Sequence, residues 1–540
     1  MPDGLASAVG ASVSFDVPSD TFPDLYEASI EELNRGLSQG HFTSVDLVKA
    51  YLARIDEVND ELHAVIETNS HALALAAELD SARAAGQSKG ILHGIPIIVK
   101  DNISTLGEGM QTTAGSHALA GSVVPRDAHV VSLLRNAGAI ILAKANLSEW
   151  SYFRGGKGKI ASGWSGRGGQ CTNPYLKNAD PSGSSSGSAV CAAVGLAAAT
   201  LGTETDGSII SPSRLQNLVG IKPTVGLTSR SGVVPISEYQ DTVGPMCRSV
   251  ADAAIILSVI AGKDARDPFT DEQPDALPDY TAALGHPTLE GVRIGVPREA
   301  ISSEDWVKDY PGIIPAFEEA LEVLKGLKAT VVESAEFKEI GELKEWKVEL
   351  QALTVEFKHC LNNYLKDLVE VPTAVRSLGD IIAFNDAHPE LEKPPGYEDQ
   401  QMLEDGDKAN GYDDEQYQEA RKRRHELGST LGIDHALEQN QLDVLVFPYK
   451  GVASSAAATA GYPVITVPLG FTPNDTPLGE AKPTIEMGPG LPFGLCLTGT
   501  AFCEPTLIKV AHTFEQKTKH RLRRRAYEAA TPRTQIKDVL

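Results

Sequence analysis

Cysteine is scarce. There are six in 540 residues (Cys171, Cys191, Cys247, Cys360, Cys496 and Cys503), with no CxxC pair among them. That spacing excludes a zinc ribbon, and a chain this long with so few thiols has no disulfide framework to fold around. Reduced, buried thiols are the expectation. The thirteen histidines fall in no HExxH or other metal-ligand spacing, so no metal and no cofactor is expected. Long apolar runs are missing too. The most apolar stretch, residues 189–201, is 13 residues of mostly Ala, Val and Gly, short of the roughly 20 needed to span a bilayer. The opening residues show no basic cluster followed by an apolar core, so no signal peptide is read there and the cytosol is the expected compartment. Positive charge is in deficit: 48 Lys+Arg against 72 Asp+Glu give a net charge of −24. Gripping a phosphate backbone needs a basic face, so this balance argues against a nucleic-acid partner. The one basic run, residues 519–525 (KHRLRRR), reads as a solvated helix end whose cations suit the helix dipole.

What is present is ordinary globular material, 42% hydrophobic and 22% charged. Residues 1–26 look like an arm. From residue 29 to 79 the pattern is helical, with a capping-box-like start at Thr43-Ser44-Val45-Asp46. Residues 95–101 (IPIIVKD) form a short apolar run that reads as a buried strand ending in charge. A helix at about 128–136 and a strand at 139–143 repeat the alternation, which predicts an α/β fold with a central sheet covered by helices. Residues 151–250 are rich in Gly and Ser and carry loops. Beyond residue 264 the chain turns acidic and Pro-punctuated, with a strand at 291–297 and helices at 313–325 and 344–368. Residues 388–416 read as an exposed loop or insertion, and strands return at 442–447 and 463–467.

The chemistry sits in residues 180–224. Ser182, Ser184, Ser185, Ser186 and Ser188 alternate with glycines directly before an Ala-rich helix, where backbone N–H groups can converge on an acceptor. Gly183–Gly187 satisfies G-x-S-x-G, the nucleophile elbow, but that motif needs a preceding strand and YLKNADPS is loop-like. A second turn, Gly202-Thr203-Glu204-Thr205-Asp206-Gly207-Ser208, offers a hydroxyl with successive backbone N–H groups, the geometry of an oxyanion hole. A serine needs a base; no histidine lies in this window, and a Ser-His-Asp triad with a histidine from elsewhere stays open, with none singled out. Lys100, ending an apolar strand, is the best-placed substitute if burial lowers its pKa; the competing reading is a lysine that snorkels from a strand end.

These residues together resemble the amidase signature family of serine hydrolases. The resemblance rests on Lys100 within GIPIIVKDNI, the GSSSGS loop, and GTETDGSI followed by GIKPT, with Ser184 and Ser208 in the family's register. AKANLSEWSYFRG, DTVGPMCRSVADAA, AGYPVITVPLGF and the C-terminal FGLCLTGTAFCEPTL agree, and SGWSGRGGQCTNP points to the peptide-amidase branch. The resemblance implies one large α/β domain over residues 27–525, built on a twisted mixed sheet with helices on both faces. It also implies an acidic, helical, substrate-facing insertion at about 300–440 and a tail at 526–540. It further implies a triad: Ser208 as nucleophile, Ser184 (on a cis peptide) as bridge and Lys100 as base. Backbone N–H groups from Thr205, Asp206, Gly207 and Ser208 would hold the oxyanion, and Ser151 would line the site and bind the leaving amide.

The chain departs from the common GTDTGGSIR at Glu204, Asp206 and Ile210, and from a usual Gly at Ser186. Asp206, if it pointed inward, would raise the pKa of Lys100; its side chain is expected to face away. The implied activity is hydrolysis of a linear amide, C-terminally amidated peptides included. Two alternatives share the machinery: an ester or carbamate hydrolase, and the amide-hydrolysing subunit of an amidotransferase. The expected partner is a small or peptide amide, with no membrane and no nucleic acid, on a monomer or homodimer.

Overall fold

Alternation of amphipathic and β-branched segments resolves into helices stacked on one mixed sheet. The computed structural model describes residues 22–156, 158–302, 310–449 and 451–540. Most of the arm expected at 1–26 lies outside these; Leu25 and Tyr26, which lie inside, are buried. Helices α1 (Ile30–Ser38) and α2 (Ser44–Leu62) each start on a capping box, Ser29 with Glu32 and Thr43 with Asp46. The helical stretch expected to reach residue 79 is broken. His63 takes a left-handed conformation that stops α2, and the β-branched Val65–Thr68 forms strand β1 before α3 (Ala72–Ala84).

β2 (Pro96–Lys100), α4 (His129–Asn136) and β3 (Ile140–Ala145) follow where the pattern placed them. The Gly/Ser-rich middle supplies α5 (Ser186–Ala193), β4 (Ala199–Glu204), α6 (Ile210–Leu215), β5 (Val219–Lys222), β6 (Thr242–Cys247) and α7 (Val250–Ile260). The acidic half adds β7 (Arg293–Val296), α8 (Ile313–Gly326), β8 (Thr330–Glu333), α9 (Lys347–Asp367) and α10 (Glu415–Gly428). The chain then runs through β9 (Val444–Phe447), α11 (Gly451–Ala460), β10 (Val464–Phe471), β11 (Pro492–Thr498) and α12 (Glu504–Thr518).

The eleven strands join in the order β1-β3-β2-β4-β6-β5-β10-β11-β9-β7-β8. β3, β2 and β4 are parallel, as are β9, β7 and β8; the remaining neighbours are antiparallel. Every residue of β2, β3, β4 and β6 is buried. Successive strand residues face opposite ways, so burial throughout requires cover on both faces. α5 packs against β2, β3, β4 and β6, α7 against β5 and β6, and α12 against β10 and β11. No helix among the described residues is long and apolar enough to cross a membrane. All six cysteines are free thiols.

Two expectations change. Residues 388–416 are not an exposed loop: they contain helices Pro389–Glu392 and Gln401–Lys408, and Glu392 is fully buried. Its carboxylate shares the Arg154 guanidinium with Glu149, and Tyr397 stacks on Trp164 at 4.6 Å. A polar sequence hid a buried cluster of one guanidinium and two carboxyls, because the partners lie more than 200 residues away. The basic run 519–525 is only in part a solvated end: Lys519, Leu522, Arg523 and Arg525 are exposed, but His520 and Arg521 are buried. α12 stops at Thr518, and Arg521 turns inward to donate to the carbonyls of Ala193 and Asn217, both at 2.9 Å, and to Glu27 at 2.8 Å. The C-terminal segment packs too, with Ala530 and Ile536 buried and Arg54 donating to the carbonyl of Thr534 at 2.7 Å.

Removing buried Arg521 leaves two buried carbonyls and the partly buried Glu27 without their donor. Arg521→Ala is therefore expected to lower the unfolding free energy by about 3 kcal/mol, read as a lower urea midpoint in equilibrium unfolding.

Candidate active site

Because β3, β2 and β4 are parallel, their C-terminal ends share one edge of the sheet, and the loops leaving them converge there. Lys100 is the last residue of β2, Thr203 and Glu204 end β4, and the loop after β3 carries Ser148 and Ser151. Adjacent register (Val99 opposite Leu201) puts Lys100 level with Gly202, one residue before Thr203. Its Nζ lies 2.7 Å from Ser184 Oγ, 2.8 Å from Thr203 Oγ1 and 3.4 Å from the Thr203 carbonyl. Lys100 is fully buried, and desolvation brings its pKa down from 10.5 to about 7; Asp241 and Glu204 pull weakly the other way. A neutral amine has two N–H bonds and one lone pair. Thr203 can take both hydrogens, which leaves the lone pair to accept from Ser184.

The serine loop is clamped onto this base from several sides. The peptide Gly183–Ser184 is cis. The Ser184 carbonyl accepts from Ser148 N–H at 3.0 Å. Ser185 Oγ donates to the Thr203 carbonyl at 3.0 Å and accepts from Thr203 N–H at 3.2 Å, while Ser185 N–H donates to the Ser208 carbonyl at 3.1 Å. Ser186 Oγ donates to the Ser182 carbonyl, and Ser182 and Ser211 share a hydroxyl contact at 2.7 Å. Gly187 has no room for a side chain: a Cβ there would sit 2.3 Å from the Ala64 carbonyl oxygen.

The second turn is shaped by Glu204. Its carboxylate accepts from Gly207 N–H at 2.8 Å through Oε1, and from Ile209 and Ile210 N–H at 2.6 and 2.8 Å through Oε2. Gly207, at φ +80°, adopts the left-handed conformation that this tight turn demands. One expectation is thereby corrected: Gly207 N–H is held by Glu204, so the turn amides not committed to that carboxylate are those of Thr205, Asp206 and Ser208. The Thr205 hydroxyl donates to Asp241 at 2.6 Å. The Asp206 carboxylate accepts from Ser454 and Ser455 of α11, turned towards that helix. Ser151 follows Trp150 in a run of three left-handed residues, and its Oγ accepts from Asn102 Nδ2 at 3.2 Å.

Ser151, Ser184, Thr205, Asp206 and Ser208 all line one cavity of about 510 Å³. Its apolar wall is Phe153, Ile236, Trp346, Leu353, Met402 and Val452. Several supporting residues escape a reading of the sequence. Asn102 bridges Ser151 and Thr203, donating to Thr203 Oγ1 at 3.0 Å. Gln240 donates to the Thr205 carbonyl at 3.4 Å and to Glu349 at 2.7 Å. Burial raises the pKa values of Asp241, Glu204 and Glu349, the last held up further by the nearby Asp206 charge. Asn102 lies inside GIPIIVKDNI, two residues past Lys100, and that proximity is a signal; Gln240, Asp241 and Glu349 carry no local one.

A buried amine with a lowered pKa, bonded to a serine hydroxyl and opening with a second serine into one cavity, can drive acyl transfer. The Amidase family model matches residues 46–508. The chain belongs to the amidase signature family. It is an amidase, a hydrolase of amides. It is 42% identical to the crystallised peptide amidase of Stenotrophomonas maltophilia, with a TM-score of 0.81 over 94% of this chain and 99% of that one. An amidase family protein of Bacillus anthracis str. Ames is 31% identical with a TM-score of 0.82, over 93% of both chains. A glutamyl-tRNA(Gln) amidotransferase subunit of Thermosynechococcus vestitus is 33% identical over 91% of this chain and 98% of its own.

Glu204 touches no substrate position and works through the turn it holds. Glu204→Gln replaces one of its accepting oxygens with an N–H₂ facing N–H. The amidase kcat is expected to fall about 100-fold, with KM within about twofold and an unchanged circular dichroism spectrum.

Proposed function

We propose that the chain hydrolyses C-terminally amidated peptides, and other linear carboxamides with an apolar acyl side, through a Ser208–Ser184–Lys100 triad. The observation that carries this reading is the 2.7 Å contact between Ser184 Oγ and a fully buried Lys100 whose pKa is brought to about 7. Ser208 Oγ attacks the amide carbon as its proton passes to Ser184 Oγ, which gives its own to Lys100 Nζ. The tetrahedral oxyanion accepts from the turn amides of Asp206 and Ser208. As the C–N bond breaks, the proton returns from Lys100 through Ser184 to the leaving nitrogen, and ammonia or an amine departs. Water then repeats the cycle on the Ser208 ester and releases the acid. Ser151 faces the leaving group. The 42% identity to a peptide amidase and the apolar cavity wall favour a peptide-like acyl group.

In this mechanism only neutral Lys100 works, so kcat/KM is expected to fall about tenfold per pH unit below about 7 and to level off above it. Ser208→Ala and Lys100→Ala are each expected to lower kcat by about 10⁴-fold with the fold retained. A panel of amidated peptides, free amides, esters and carbamates, ranked by kcat/KM on the purified single chain, tests the substrate. Ammonia release from amidated peptides should lead. Turnover dependent on an added partner, or a preference for esters or carbamates, would overturn the reading.

A further inference from the structure

A second cavity, of about 470 Å³, shares no lining residue with the first. Its walls are aromatic and basic: Tyr239, Phe269, Tyr462 and Phe502 frame it, and Arg421, Arg424 and His425 of α10 project along one side. The charges around it are unevenly spent. Arg424 is buried and paired with Glu356 at 2.6 Å, and Lys422 pairs with Glu426 at 3.7 Å. Glu272 stands exposed at the rim. Arg421 differs. Its guanidinium lies 4.8 Å from the Tyr239 ring centroid and donates to Gln418 at 3.2 Å, with no carboxylate within 4.0 Å among the described residues. A guanidinium carries a fork of N–H donors that can grip a carboxylate in bidentate fashion. Aromatic faces beside it suit a flat apolar body. Arg421 thus brings an unneutralised cation to a ready-formed pocket.

Two elements wall both cavities. α11 gives Val452 and Ser455 to the first and Thr459 and Ala460 to the second, and its Ser454 and Ser455 hold Asp206. The loop 236–241 gives Ile236 to the first and Tyr239 to the second, while its Gln240 and Asp241 hold Thr205. Any shift of these elements at the second cavity therefore moves the residues that fix the turn around Ser208.

We propose that this cavity is a binding site for a small carboxylate with a flat aromatic body, gripped by Arg421, and that its occupancy changes turnover at the catalytic cavity. Calorimetric titration of the whole chain with 1-naphthoate should show one site per chain. The matching alcohol, 1-naphthalenemethanol, should bind at least tenfold more weakly. Arg421→Ala should weaken 1-naphthoate at least tenfold, and Arg421→Lys should keep most of the affinity. In amide hydrolysis, saturating 1-naphthoate should change kcat at least twofold with KM nearly constant, and Arg421→Ala should abolish that effect while keeping the basal rate. Absence of binding would overturn the site. So would binding that ignores Arg421→Ala and is purely competitive with the amide, because that places the carboxylate in the catalytic cavity. Binding that depends on Arg421 but leaves kcat unchanged would overturn the coupling.

Discussion

A lysine ammonium taken out of water gives up its proton more readily, and that single trade governs what surrounds Lys100. The side chain must be buried completely, yet no carboxylate can sit against it, since a direct partner would restore the charge. Both conditions are met. Its neighbours at hydrogen-bond distance are hydroxyls and a carbonyl, from Ser184 and Thr203, while Asp241 and Glu204 act only at longer range. A pKa moved from 10.5 to about 7 corresponds to about 5 kcal/mol of preference for the neutral form. Such a bias needs rigid walls, and the parallel trio β3-β2-β4 supplies them by fixing the backbone on either side.

The turn after β4 is the second fixed feature of the cavity. A buried carboxylate holds it. Glu204 accepts from three amides of that turn, which sets the path of the chain through Gly207 and leaves the neighbouring N–H groups pointing elsewhere. Asp241, Gln240 and the two α11 hydroxyls then hold Thr205 and Asp206 from outside. The turn is thus oriented by residues drawn from β4, from the loop before β6 and from α11, and no single segment determines it.

That distribution explains what can be read in the chain. The candidates Lys100, Ser184 and Ser208 stand out because each sits in a local pattern, an apolar strand ending in charge or a Gly-Ser turn beside a small-residue helix. The strands β2 and β3 and the helix α4 are legible from period alone. Gln240, Asp241 and Glu349 are not, because their importance lies in contacts across more than thirty residues of sequence and nothing local distinguishes them from solvated polar groups. The same reason hides Glu392 and Arg521. Polar composition suggests exposure, and only tertiary structure reveals that a partner makes burial tolerable. The break at β1 escapes because Val65–Thr68 is too short to disturb a helical pattern read over a long window.

The buried carboxyls have one more effect, on how the molecule behaves in an electric field. Burial, with the Glu392 charge beside it, pushes Glu149 up; burial lifts Glu515 to about 7, and Asp180 and Asp252 to about 6. At mildly acidic pH these groups stay protonated in the fold but would ionise in the open chain. The native protein therefore carries less negative charge than its composition states, and these groups shift its isoelectric point upward. Since their folded pKa values are raised, these carboxyls favour the fold below about pH 4 and lose that contribution as pH climbs through 6 to 7. Unfolding at mildly acidic pH therefore releases protons from these carboxyls.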